Sequence, residues 1–288
     1  MAPFKESPSV EPDRSAVWAI AFLDLMGYKR ALLSTGCKPS QDEDEIRTRF
    51  SGVVWRRELL VKPPEAYFNR RRSDLYRAPV TPGGPPISQF MGAVDVRVTG
   101  FSDSVFLESS LGGSPDNPLV PLHAIVAASI VALFMNLKEE SPVRGGIEIC
   151  FGVRRGGHVY SAATVSAVEL EKCAKYPRVL VGNNLIGTLG SIAAGGETNE
   201  SQVARTIQGL FYEDPDDGRI GLDFMNEVSK RFYAPGFTSS DVRAIWQFAQ
   251  RSRKAFGTSG MEKEWRYYDR FIKYMEPRLA LWGVDQST

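Results

Sequence analysis

Two carboxylates in apolar surroundings are the first chemistry this sequence offers. AIAFLDLMGYKR at 19–30 sets Asp24 at the end of a strand-like run, and VRVTGFSDSVFLES at 96–109 sets Asp103 within another. An ionised carboxylate in such a run is costly unless a cation or hydrogen bonds compensate it. Two of them point to a divalent-metal site, and paired metals are a common device for phosphoryl chemistry. Phe22 shares the face of Asp24 by the strand period of two. The chain then turns through Leu25, Met26, Gly27 and Tyr28. Backbone N–H groups at such a turn form an anion cradle. The β- and γ-phosphates of a nucleotide could rest on residues 26–29, with a metal held by Asp24 and the carbonyl of Leu25. Ser102 and Ser104 flank Asp103 and can orient it. The same residues also allow a plainer reading, in which Asp24 caps a helix and Asp103 occupies an ordinary turn.

These residues need elements to position them. Residues 16–25 read as an apolar strand, and Gly27 lets the backbone turn into a helix near residue 28 or 29. A helix is expected over 41–60, with acids first and arginines later, in keeping with the helix dipole. Residues 62–88, rich in Pro, Gly and Arg, read as an irregular insertion, and the basic run NRRRSDLYR at 69–77 as a solvated loop. Residues 93–100 and 103–109 read as two strands with a bend between them. The nearly uncharged 119–137 is long enough to span a bilayer, yet it contains Pro121, His123, Ser129 and Asn136 and lies between strands. It reads as a helix packed on a sheet, with His123 a core residue.

Strand 144–153, a turn and strand start at GGHVY, helix 161–174 and the strand PRVLVG follow. The order β-α-β-β-α-β-α-β predicts an α+β fold on the ferredoxin-like plan, a four-stranded antiparallel core with helices on one face. The domain runs over 15–185, after a short disordered arm at 1–14. A C-terminal extension at 186–288 has Gly, Ala and Ser dominating 187–202, an acidic turn YEDPDDGR, and packing helices near 239–255 and 260–281.

Lys+Arg 35 against Asp+Glu 34 excludes a general nucleic-acid binder on bulk charge. Cys37, Cys150 and Cys173 form no CxxC, so free thiols in a reducing compartment are expected. The apolar core of a signal peptide is missing from MAPFKESPSVEPDR, and the expected location is cytoplasmic, with no membrane partner.

The motifs resemble those of a known family. FLDLMGY resembles the first metal motif of class III nucleotide cyclases, roughly FxDIxGF. TGFSDSVFL resembles their second motif, and RGGIEICFG their following strand. The order agrees from about residue 15 to 183. A closer resemblance is to the Pycsar-type pyrimidine cyclases of bacterial antiphage defence. Their pattern joins FLDLxGY, FSDS, an RGGI strand and a helix ending A-x-x-LE…YPR, here AVELEKCAKYPRVLV.

That resemblance implies cyclisation of UTP, or of CTP, to a 3′,5′-cyclic nucleotide and pyrophosphate, a second messenger for a cyclic-nucleotide-responsive effector. It implies two Mn²⁺ or Mg²⁺ ions bridging Asp24 and Asp103, and a homodimer whose sites form between antiparallel subunits. Thr99 falls where purine cyclases carry a base-reading lysine, and His158 or Tyr160 falls near the second base position. Val165 and Glu169 stand where the family has N-x-x-x-R, so another arginine must balance the transition-state charge. Arg178, Arg97 and Arg144 are the candidates, Arg178 foremost. A purine cyclase or a catalytically silent nucleotide sensor are the other readings.

Overall fold

The first strand, β1 (Arg14–Leu25), is apolar on both sides of its pleat. Trp18, Ile20 and Phe22 alternate with Ala19, Ala21 and Leu23, a pattern that fits a central strand covered on both faces. The computed structural model describes residues 14–27, 51, 58, 60–62, 96–113, 119–155, 158–232 and 237–285. Tyr28, the arm before residue 14, Cys37, most of the helix expected over 41–60 and nearly all of the 62–88 insertion lie outside the described residues. Residues 51, 58 and 60 of that helix are helical, and Leu60 is buried.

β2 (Arg97–Phe101) and β3 (Ser104–Ser110) form a hairpin, and β3 pairs antiparallel with β1. On its other edge β1 pairs antiparallel with β4 (Val143–Arg155) along its whole length. Two strands share the far edge of β4: β5 (His158–Ser161) at its C-terminal end, and β6 (Val179–Val181), parallel, near its start. β7 (Phe211–Glu213) and β8 (Ile220–Leu222) extend the sheet to the order β2-β3-β1-β4-β6-β8-β7. The result is a mixed α/β structure around one open, mostly antiparallel sheet. The stretch after residue 185 is continuous with it, because Leu189, Phe224, Trp246, Phe271 and Val284 belong to the same hydrophobic core as Leu23 and Ile147.

α1 (Leu119–Lys138) is apolar all round and buried between the sheet and the C-terminal helices. It is long and apolar enough to cross a membrane, but 94% of its apolar window is buried within the protein. Its polar groups bond to the preceding turn: Ser129 Oγ donates to the Ile125 carbonyl at 2.8 Å and Asn136 Nδ2 to the Ala132 carbonyl at 2.8 Å. Burial drives the pKa of His123 down to about 4. The folded value lies below the ordinary value of 6.5, so the stability held by neutral His123 is present above pH 6.5 and lost as pH falls through about 4. Urea titrations across that window are expected to show a shallower decline for His123→Leu than for the parent chain. Identical slopes would refute the assignment.

α2 (Ala162–Cys173) starts at an N-cap in which Ser161 Oγ accepts from Ala163 N, and it packs on the Trp18–Ile20 face. The expected placement of the helices on one face is therefore corrected: α1 covers the Ala21–Leu23 face and α2 the opposite one. The physical reason is β1 itself, whose two apolar faces each need cover. Gly146 makes the α2 contact possible, since a Cβ there would stand 2.4 Å from the Ala167 carbonyl and 2.5 Å from Leu170 Cβ. Gly146→Ala should destabilise the chain by about 1–3 kcal/mol, as overpacking does, read as a lower denaturation midpoint.

α3 (Asn183–Ala193) and α4 (Asn199–Gln208) occupy the small-residue stretch for which no helix was expected. Thr198 caps α4, and Leu185, Leu189, Val203, Ala204 and Ile207 supply the buried faces. After α5 (Glu227–Phe232), α6 (Ser239–Thr258) begins with a Thr238/Asp241 capping box, and α7 (Glu262–Met275) packs against it.

Candidate metal and nucleotide site

The hairpin between β2 and β3 is tight, with Ser102 and Asp103 at its tip between the paired Phe101 and Ser104. Ser102 adopts φ 55, a left-handed conformation that a non-glycine residue enters at some cost and that recurs at functional sites. The tip is tied to the end of β1, because Leu25 N donates to the Asp103 carbonyl at 3.1 Å. In the β1–β3 register Asp24 lies opposite Ser104. Ser104 Oγ donates to Asp24 Oδ1 at 2.8 Å, which sets the rotamer of that carboxylate. The two aspartates distant in sequence thus come together at one end of the sheet.

The cation beside them is Arg144. The β1–β4 register sets it opposite Asp24, and its Nη2 lies 3.6 Å from Asp24 Oδ2. On its other side Nε contacts Glu171 Oε1, from the last turn of α2. Asp24 is raised above the ordinary carboxylate range by burial, against the lowering effect of the Ser104 hydrogen bond. The Asp103 charge adds to the rise and Arg144 opposes it. Glu171 is also raised, again mainly by burial, with Arg144 opposing and the Asp24 charge adding.

Asp24, a carboxylate whose ionisation burial opposes, fits a divalent cation, which would relieve that cost. Among the described residues no group of three or more His, Cys, Asp or Glu is arranged to hold a metal. A site with two carboxylates and few other protein ligands is suited to Mg²⁺ or Mn²⁺ shared with substrate phosphates, since such ions keep several waters or substrate oxygens. Asp24 and Asp103 would hold it, with Leu25 anchored alongside through its N–H.

The remaining candidates separate. Arg178 is not at the site: its guanidinium is 1% exposed and pairs with Asp214 at 2.5 Å and Asp217 at 2.6 Å, over the Tyr176 ring. The choice of Arg178 over Arg144 is corrected, because an acidic turn after β7 draws that guanidinium to the opposite edge of β4. Arg97 stands opposite Glu108, whose acidity it affects, rather than beside Asp24. Met26 N donates to the Pro142 carbonyl at 2.8 Å and so is engaged rather than offered to a phosphate. Gly27 makes the expected left-handed turn at φ 78 and is exposed.

Phe22 lies on the Asp24 face with its ring 4.7 Å from that of Phe106, within the cluster under α2. Thr99 is opposite Phe106 on the outer strand, two strands away from β1. His158 pairs with Arg155 at the far end of β4 from Arg144. Eleven residues of strand separate the two ends, roughly 36 Å, so one protomer does not bring His158 to Asp24. Val165 is 65% exposed, and with Glu169 it lines a cavity of 550 Å³ between α2 and α3. Glu148, beneath that cavity, accepts from Ile149 N at 2.8 Å and Leu185 N at 3.0 Å, capping α3.

Glu171 was missed from sequence. Its one local signal is the spacing Ala163, Ala167, Glu171, which puts a carboxylate on the buried stripe of α2. No protein-family model and no curated protein sequence matches this chain.

Proposed function

We propose that this chain is a metal-dependent pyrimidine nucleotide cyclase that converts UTP to 3′,5′-cyclic UMP and pyrophosphate, with CTP the alternative substrate. The observation that carries the reading is the meeting of Asp24 and Asp103 at the end of β1, with Ser104 hydrogen-bonded to Asp24 and Arg144 alongside. The strand order β2-β3-β1-β4, all antiparallel, also supports the ferredoxin-like core of class III cyclases. The three motifs that resemble that family lie on β1, on the β2–β3 hairpin and on β4, the elements that build the site.

In this reading the two carboxylates bind and orient, and Ser104 keeps Asp24 from rotating away. Divalent ions, when bound, lower the pKa of the ribose 3′-hydroxyl and neutralise the triphosphate. The 3′-hydroxyl gives its proton to solvent, its oxygen bonds to the α-phosphorus, the bond from that phosphorus to the bridging oxygen breaks, and pyrophosphate leaves. Arg144, the arginine beside Asp24, is placed to offset the charge that develops there. The reading includes an antiparallel homodimer, in which Thr99 and His158, remote from Asp24 within one protomer, take part from the other subunit. The product would serve a cyclic-nucleotide-responsive effector in antiphage defence.

The test is incubation of the purified chain with ATP, GTP, CTP or UTP and Mn²⁺, with products resolved by mass. Cyclic UMP from UTP is the expected product. A cyclic purine nucleotide overturns the pyrimidine assignment. Binding of triphosphate with no cyclic product favours a silent sensor, the second reading, which the valine and glutamate at 165 and 169 favour.

A further inference from the structure

Glu171 is the charged member of a stripe that otherwise buries alanines. Ala163 and Ala167 are fully buried against β1 and β4, and Glu171, four residues on, carries a side chain only 6% exposed. A carboxylate so placed needs a counter-charge, and Arg144 supplies it through Nε. The same guanidinium approaches Asp24 through Nη2, but only to 3.6 Å, well beyond the 2.7–2.9 Å typical of a close charge-assisted hydrogen bond. Arg144 is therefore held by Glu171 and stands off from Asp24.

We propose that Glu171 is a positioning residue that holds Arg144 away from the Asp24–Asp103 pair and so keeps that pair open to a divalent cation. Without the Glu171 charge, the ion pair left to the guanidinium among the described residues is the one with Asp24, and it moves onto the oxygen a metal would take. The arginine then acts as an internal competitor for the cation. Glu171 thus sets metal affinity through Arg144 and touches neither metal nor substrate. The inference rests on the metal reading of the two aspartates.

The experiment is a double-mutant cycle on the full chain, reading Mn²⁺ affinity without nucleotide by the electron paramagnetic resonance of free Mn²⁺. Thermal unfolding of each variant without metal checks that it is folded. Glu171→Gln should weaken Mn²⁺ binding by about tenfold, and the loss should disappear when Arg144→Gln is added. A loss of the same factor in both backgrounds would mean that Glu171 acts only as a nearby negative charge, and would overturn the proposal. No change in Glu171→Gln, while Asp24→Asn abolishes binding, overturns it with the metal site left standing. Undiminished Mn²⁺ binding in Asp24→Asn removes the metal reading and this proposal with it.

Discussion

Asp24→Asn is expected to abolish Mn²⁺-dependent turnover of UTP, by about a thousandfold or more, while making the metal-free chain more stable. The first effect follows from the chemistry, since removing a metal carboxylate forfeits several kcal/mol of transition-state stabilisation. The second follows from the sign of the ionisation. Burial raises the folded pKa of Asp24 above 3.8, so its contribution to stability is greatest below that value and is lost as pH rises through the folded one. At neutral pH the ionised carboxylate therefore destabilises the empty fold, and a neutral amide that still accepts from Ser104 removes that cost. Turnover is followed by product mass and stability by thermal unfolding in chelator. Asp103→Ala should lose turnover similarly. Full activity in either variant would end the two-carboxylate model, and a lower melting temperature for Asp24→Asn would contradict the electrostatic account.

Arg178→Met is expected to have the largest effect on stability and none on the chemistry. Its guanidinium bridges Asp214 and Asp217, and Arg270 also reaches that acidic turn, at 3.3 Å from Asp214. Tyr176 donates a further hydrogen bond to Asp214 at 2.7 Å. Removing one partner leaves a buried carboxylate short of its counter-charge, a loss of about 3–5 kcal/mol. For a chain of this size that lowers the melting temperature on the order of ten degrees. Assayed below its melting range, the variant should turn over UTP at the parental rate. Arg144→Met should lose turnover, and its melting temperature should fall as well, because buried Glu171 loses its counter-charge. A folded Arg178→Met chain without activity would restore Arg178 as the arginine that replaces the missing N-x-x-x-R arginine.

Much of this molecule was legible in the sequence because local rules govern it. The apolar run at β1, the serine-flanked hairpin tip, the apolar α1 and the amphipathic α6 and α7 all follow from periodicity and turn chemistry. The pairing of Asp24 with Asp103 was also within reach, since a hairpin that pairs with β1 must carry its tip to one end of it. α3 and α4 were missed although Leu185 and Leu189, and Val203 and Ile207, recur four residues apart, because their glycines and serines lower helix propensity. Which face α2 covers depended on β1 being central, a property of the whole sheet.

The sequence by itself determined β1 to β6, the two aspartates and a short list of arginines, but not β7 and β8. Only the tertiary structure decided among those arginines and revealed Glu171. A period of two assigns Arg144 to a face, but the β1–β4 register, across 120 residues of chain, sets it opposite Asp24. The crossing of α2 over Gly146 then delivers Glu171 to its other side. Ion-pair partners are chosen by such long-range registers because Coulomb attraction depends on distance in space and is indifferent to distance along the chain.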